Sequence, residues 1–331
     1  MSSEWLFKST TIIIMITLFF IILKIFRYRI VPFFEQYLLM QEQNLSQRYS
    51  AKEGSWVLIT GPSSGMGERF AHEFAERGFN LLLVGSKRTK RVIKNIHKLC
   101  SKIQIKFIEV DFSNSFNDNF FDPIQKEIDE IGNKWRILIN NVGYRTACSD
   151  YREMSINEMK KTISVGTLVQ SKLIQMALQS FTKHSEQTAI VNITAQNSIC
   201  TDLFAVQNDL TVPYLACYEA ANSYGYFHAK SIFEEIKNKF SNIDFLIITP
   251  GAVSTKNTEQ VLKDTLFSID VDTFVKNIIR LMGNKNGIYC AYWGHSMAGV
   301  LLNIFPFVDK ESITNKVGLD FAKLYDNNDN K

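Results

Sequence analysis

Residues Trp56 to Gly67 read WVLITGPSSGMG, and the rest of the chain is arranged around them. Trp56-Val57-Leu58-Ile59 is a short apolar run, the signature of a strand buried on both faces. Thr60-Gly61 opens a turn carrying Gly61, Gly65 and Gly67. Glu68 to Gly78 then sets Phe70 with Phe74, and Ala71 with Ala75, at helical spacing, and Gly78 reads as the C-cap. Strand, glycine turn and helix make a dinucleotide-binding arrangement. Glycines let the backbone approach a pyrophosphate, and the helix N-terminus faces its charge. The spacing is G-x-x-x-G-x-G rather than G-x-G-x-x-G. Three glycines alone could merely punctuate a loop; the flanking strand and helix give the turn its meaning.

The chain has 331 residues, 46% of them hydrophobic, enough to bury a large core as one domain with appendages. A net charge of +4 is mild, and no basic block points to nucleic acid, so the composition suits lipid or small-molecule metabolism. Cys100, Cys148, Cys200, Cys217 and Cys290 are scattered without a C-x-x-C, which fits a reducing compartment and argues against a zinc site. No internal repeat is found, and Asp326 to Lys331 is a low-complexity tail.

Ser9 to Leu23 carries no charge. Trp5 to Phe26 as one helix would be roughly 33 Å long, enough to span a bilayer. Lys8 and Lys24 can snorkel, and Trp5 suits an interface. A cleaved signal peptide is the competitor, but Lys24, Arg27 and Arg29 stand where a small-residue cleavage site would. The positive flank predicts the main domain on the cytoplasmic side. The organisation expected is a transmembrane anchor over 1–29, an interfacial linker over 30–50, a nucleotide-binding domain over 51–310 and a tail over 311–331.

From residue 50 strands and helices alternate. Strands are expected at Asn80 to Val84, Ile103 to Val110, Arg136 to Ile139, Ala189 to Ile193, Phe245 to Ile248 and Gly287 to Ala291. Helices are expected at Thr89 to Leu99, Phe121 to Ile131, Ile156 to Phe181, Tyr218 to Phe240 and Val271 to Met282. The fold class is therefore α/β, a Rossmann-type doubly wound parallel sheet with ligands at the carboxyl ends of its strands.

Thr60-Gly61-x-x-x-Gly65-x-Gly67, Asp111, Asn140-Asn141-Val142-Gly143 and Pro250-Gly251-x-x-x-Thr255 occur in an order that resembles the short-chain dehydrogenase/reductase family. The resemblance covers roughly residues 50 to 310. The N-terminal apolar segment, the phrase GSWVLITG, the NNVG and Tyr292-Trp293-Gly294-His295 are similar to its membrane-bound branch of 17β-hydroxysteroid dehydrogenases and very-long-chain 3-oxoacyl-CoA reductases. That resemblance implies hydride transfer between NADP(H) and a ketone or alcohol on a lipid, at the endoplasmic reticulum membrane with the main domain facing the cytosol. It implies that Gly61, Ser63, Gly65, Met66 and Gly67 hold pyrophosphate and ribose, and that Asp111 meets the adenine. Asn141 and Val142 would line the ribose, and Pro250, Gly251, Val253 and Thr255 the nicotinamide end. Asp111 has a plainer reading as a strand-end cap. Lys87 and Arg88 follow the second strand with no acidic residue beside them, which favours NADP over NAD; their plainer reading is two solvated turn cations.

The catalytic positions resemble the family less well. The family uses a tyrosine as proton donor and a lysine four residues later, one helical turn away. In one register Tyr218 is the tyrosine and Asn222 stands at the lysine position. In the other, Tyr226 and Lys230 form a literal Y-x-x-x-K, eight residues later and rotated about 80°. The first is preferred, because the second leaves too few residues before Pro250. The serine position falls on Ala195, with Thr194 one residue early and Ser198 further on; Ser164 stands at the relay asparagine. Two functions follow. One is a reductase of a 3-oxoacyl-CoA or keto-steroid with Tyr218 as proton donor. The other is an inactive member that binds NADP(H), and perhaps a lipid ligand, as a partner or regulator in a lipid-synthesis complex. By resemblance the fold pairs through its two long helices as a homodimer. Trp293, His295 and Met297 invite a substrate role or simple packing, and the apolar run Met297 to Val308 invites membrane contact or core packing.

Overall fold

The structure, a computed structural model, describes residues 10–17, 19–20, 23, 40–144, 150–195, 212–255, 268–296, 312, 315–316 and 319. The chain divides into two compact units, Met1–Gln41 and Glu42–Lys331. In the first, residues 10–17, 19, 20 and 23 are helical. The Thr17 hydroxyl donates to the Ile13 carbonyl at 2.8 Å. Among the described residues no helix is long and apolar enough to cross a membrane. Trp5, Lys8, Lys24, Arg27, Arg29 and the stretch 30–39 lie outside the described residues, as do Cys148, Cys200, Ser198, Met297 to Val308 and the tail from Asp326.

The second unit is built on a parallel sheet of seven strands in the order β3-β2-β1-β4-β5-β6-β9. The strands are β1 (Trp56–Thr60), β2 (Asn80–Gly85), β3 (Ile105–Glu109), β4 (Trp135–Asn140), β5 (Thr188–Ile193), β6 (Ile243–Ile248) and β9 (Gly287–Tyr289). β1 pairs with β2 through Val57 and Leu81, and with β4 through Val57 and Ile137. This is the Rossmann-type sheet that the alternating pattern predicts. Because side chains alternate faces along a strand, Leu58, Leu82, Leu138, Ile190 and Phe245 join one core cluster. Val57, Leu81, Ile137 and Val191 are equally buried between them. A strand buried on both faces reads as an unbroken apolar run, which is why WVLI and LLLV stand out in the sequence.

The helices are α1 (Leu45–Arg48), α2 (Gly65–Glu76), α3 (Thr89–Leu99), α4 (Asp122–Ile131), α5 (Ile156–Ile163), α6 (Gln170–Phe181), α7 (Ala216–Ile236) and α8 (Val271–Leu281). After α2, Gly78 takes φ +84° and donates to Ala75, while Phe79 donates to Phe74, the left-handed closure expected of it.

Two expectations change. The helix expected over Ile156 to Phe181 is interrupted by a π-helical stretch, Ser164–Val169. There Gly166 approaches α7 so closely that a Cβ would lie 2.7 Å from that of Ala221. The Ser164 hydroxyl turns to the Phe112 carbonyl at 3.0 Å. A second, two-stranded parallel sheet joins β7 (Ala252–Ser254) to β8 (Ser268–Asp270); three residues are too few to show a period. Within the stretch expected as a linker, Leu45 and Tyr49 are buried, and the second unit begins at Glu42.

That early segment is fastened at the foot of the sheet. Asp244, at the start of β6, is 4% exposed. It accepts from the Tyr49 hydroxyl at 2.5 Å and from Arg48 Nε and Nη2 at 2.8 and 2.9 Å. Its hydrogen bond holds the Arg48 guanidinium more firmly protonated, while burial and then the Asp244 charge push the Tyr49 phenol up. Arg48 is half-buried and can still reach water, but the buried Tyr49 hydroxyl loses its acceptor. Asp244→Ala should therefore cost about 1–3 kcal/mol in urea unfolding, and Asp244→Asn, which keeps an acceptor, clearly less.

Candidate active site

The sheet order reverses between β1 and β4, so the loops leaving those two strands open a crevice at their carboxyl ends. The glycine turn occupies it. Gly61 and Gly65 take φ +65° and +58°, in the left-handed region where glycine alone is unstrained. Gly67 is needed for closeness instead: a Cβ there would lie 2.2 Å from the Gly61 carbonyl oxygen and 2.7 Å from Asn141 Nδ2. Thr60 ties this turn to the next loop. Its Oγ1 accepts from the backbone amides of Asn141 and Val142, both at 3.0 Å. Asn141 Nδ2 returns a bond to the Thr60 carbonyl at 3.0 Å. The Asn141 side chain thus braces the glycine turn. On the other side the Thr255 methyl lies 3.5 Å from where a Gly65 Cβ would be. The loops that the sequence assigns to the two ends of one cofactor therefore both meet the glycine turn.

The cradle fits a nicotinamide dinucleotide on two counts. Ser64, the N-cap of α2, makes no side-chain capping bond, so the first-turn amides remain open to a pyrophosphate. Just past β2, the Ser86 and Thr89 hydroxyl oxygens are buried with no hydrogen-bond partner. Buried hydroxyls rarely go unpaired, and these two flank the exposed Lys87 and Arg88. Ser63 lends its carbonyl to Arg91 at 3.2 Å, and Arg91 also pairs with Glu68 at 2.8 Å. Met66 lies in the first turn of α2, half-buried. Asp111 is exposed and caps a short 3-10 turn, accepting from the Ser113 amide at 3.0 Å and hydroxyl at 2.7 Å. Pro250 and Gly251 leave β6, and Val253 pairs with Ile269 in the small sheet.

Of the side chains at the positions expected to be catalytic, Thr194, Asn222 and Ser164 bond to carbonyls within the protein. The Thr194 hydroxyl donates to the Ile248 carbonyl at 3.2 Å and is 5% exposed. Ala195, at the serine position, offers no hydroxyl. Asn222 Nδ2 donates to the backbone carbonyl of Tyr218 at 2.9 Å, one turn back along its own helix. The Ser164 hydroxyl is shared between Ser115 and the Phe112 carbonyl. Tyr218 is half-buried in the first turn of α7. Tyr226 and Lys230 lie on the same helical stripe, and Tyr226 is about 12 Å further along the axis. The Tyr226 ring is 3% exposed within the hydrophobic core, with Lys230 Nζ 5.8 Å from its centroid.

Sequence reasoning missed the polar floor beneath these positions. Asn140 Nδ2 donates to Asn192 Oδ1 at 2.9 Å and to the Gln170 carbonyl at 3.1 Å, all three residues being buried. Gln170 Oε1 has no partner and would meet a Cβ on Gly225 at 2.5 Å. The signal was present: Asn140 and Asn192 each sit at the carboxyl end of an apolar strand. Among the described residues, no group of three His, Cys, Asp or Glu side chains is placed to hold a metal ion.

A family model described as short chain dehydrogenase matches residues 55–266. The very-long-chain 3-oxoacyl-CoA reductase of Mus musculus is 29% identical over 260 residues, covering 76% of each chain. The reductase of the same name from Homo sapiens is 28% identical over 264 residues, again covering 76% of each. Among solved structures, a short-chain dehydrogenase from Sphingobium yanoikuyae in complex with NADPH superposes with a TM-score of 0.59 at 19% identity, over 76% of this chain and 97% of its own.

Proposed function

This chain belongs to the short-chain dehydrogenase family, and from that premise we propose that it is an NADP(H)-dependent reductase of lipid metabolism. Its carbonyl substrate is a 3-oxoacyl-CoA or a keto-steroid. The observation that carries this reading is the glycine turn clasped by the Asn141 and Thr255 loops, in a chain related to very-long-chain 3-oxoacyl-CoA reductases. When bound, the nicotinamide supplies the hydride. Tyr218 supplies the proton to the carbonyl oxygen, at the open end of α7. Gly61, Ser63, Gly65, Met66 and Gly67 hold the pyrophosphate and ribose; Asp111 and Val142 flank the adenosine; Pro250, Gly251, Val253 and Thr255 receive the nicotinamide. Ser86 and Thr89, with Lys87 and Arg88, receive a ribose 2′-phosphate.

A second reading is favoured by one observation: Asn222 stands where the lysine would be, and its amide is spent on its own helix. On that reading the chain binds NADP(H) without turning over substrate, and serves as a partner or regulator in a lipid-synthesis complex. For either role we place the protein at the endoplasmic reticulum membrane, anchored by 1–29 with 51–310 facing the cytosol. The all-round exposure of Ile12, Ile13, Ile14, Met15, Ile16, Phe19 and Phe20 supports that anchor. Exposed Tyr224 and Phe227 on α7, with Ile163 at the end of α5, suit a homodimer through the long helices.

NADPH consumption with a panel of 3-oxoacyl-CoAs and keto-steroids, alongside NADPH and NADH binding, tests both readings. Turnover supports the reductase; binding without turnover supports the regulator; no binding removes both. Lys87→Ala/Arg88→Ala should weaken NADPH by about tenfold or more while leaving NADH unchanged, since only the phosphate uses charge-assisted bonds there. Equal weakening of both nucleotides would reject the 2′-phosphate assignment.

A further inference from the structure

His295 is 1% exposed, in the segment that follows β9. Its ring lies 5.0 Å from that of Tyr292, edge to face, and 5.7 Å from that of Phe274. Both ring nitrogens are used, and both on one loop. Nδ1 accepts from the Gly251 amide at 3.1 Å, and Nε2 lies 3.2 Å from the Ala252 carbonyl. An amide can only donate and a carbonyl can only accept. The imidazole is therefore neutral, with its proton on Nε2. Gly251 and Ala252 belong to the strip 250–255, which also pairs β7 with β8 and sets Thr255 beside Gly65.

We propose that His295 is the positioning residue of the nicotinamide loop: by pinning consecutive backbone groups of Gly251 and Ala252, it sets the affinity for the nicotinamide half of the cofactor. The inference rests on the nucleotide-binding reading above and gives His295 a role outside the Gly61, Asn141 and Pro250 segments that would hold the cofactor. A half-buried backbone amide and carbonyl that lose both partners at once are no longer held in place, and the loop shifts to find others. That shift moves Thr255 relative to the glycine turn and opens the site at one end only.

The test compares binding of NADPH with binding of 2′,5′-ADP, which lacks the nicotinamide half. His295→Phe keeps an aromatic ring between Tyr292 and Phe274 but makes neither bond. It should weaken NADPH by about 10- to 100-fold and leave 2′,5′-ADP unchanged. His295→Asn, whose amide oxygen can take the place of Nδ1, should recover much of the loss. Unchanged NADPH affinity in His295→Phe overturns the proposal. So does equal weakening of both ligands with no recovery in His295→Asn, which would mark His295 as simple packing. If the unmodified chain binds 2′,5′-ADP but not NADPH, the proposal falls while the phosphate cradle stands. If it binds neither, the nucleotide reading itself falls.

Discussion

Replacing Asn222 with lysine is expected to raise NADPH-dependent carbonyl reduction by about 10²- to 10⁴-fold, the range that tuned acid–base catalysis is worth. The lysine would stand one turn from Tyr218 on the same face of α7. A tyrosine in water gives up its proton with a pKa near 10, and a neighbouring ammonium stabilises the phenolate that proton donation leaves behind. Asparagine carries no charge, and Asn222 already gives Nδ2 to the Tyr218 carbonyl at 2.9 Å. The substitution removes one intrahelical bond at a half-buried site, a small cost in stability. If Asn222→Lys binds NADPH and still gains nothing, the missing serine hydroxyl is the remaining block. Asn222→Lys/Ala195→Ser then decides the matter. A chain that stays inert with both groups restored does not use Tyr218 as its proton donor.

Gly67→Ala is expected to abolish measurable NADPH binding and to lower stability by about 1–3 kcal/mol, the usual range for forcing a methyl into a packed site. The added Cβ would meet the Gly61 carbonyl oxygen at 2.2 Å and Asn141 Nδ2 at 2.7 Å. The first contact is with backbone and cannot be relieved by turning a side chain. Either α2 backs away from β1 or the turn opens, and both misplace the amides meant for the pyrophosphate. Titration with NADPH and thermal unfolding check the two effects separately. Retention of near-normal affinity would show that the cofactor does not lie on this turn.

Much of the fold was legible because its causes are local. Strands buried on both faces must be apolar throughout, and helices on one face must repeat every three to four residues. Hence β1, β2, α2 and α3 read directly from the sequence. The Thr60-Gly61 motif was legible for the same reason, since a turn with left-handed residues admits little but glycine. The three-residue strands β7 and β8 carry no period, and their pairing joins Ala252–Ser254 to Ser268–Asp270 through contacts that the local pattern does not show. The π-helical stretch depends on how closely Gly166 meets Ala221, a contact between two helices.

The catalytic register lies at the boundary between the two. The sequence by itself determined the α/β class, the glycine turn, and the absence of lysine at position 222. It offered Tyr218 and Tyr226 as alternatives, because only the second is followed four residues on by a lysine, while the first better matches the spacing to Pro250. Only the tertiary structure decided their depth: the helix starts at Ala216, which leaves Tyr218 half-buried in its first turn and puts the Tyr226 ring in the core. It also decided that Thr194 and Ser164 bond to carbonyls far along the chain, and that His295 reaches back to Gly251 and Ala252. A hydrogen bond between residues more than forty positions apart leaves no trace in local pattern. It exists only once the sheet and helices have brought both ends together.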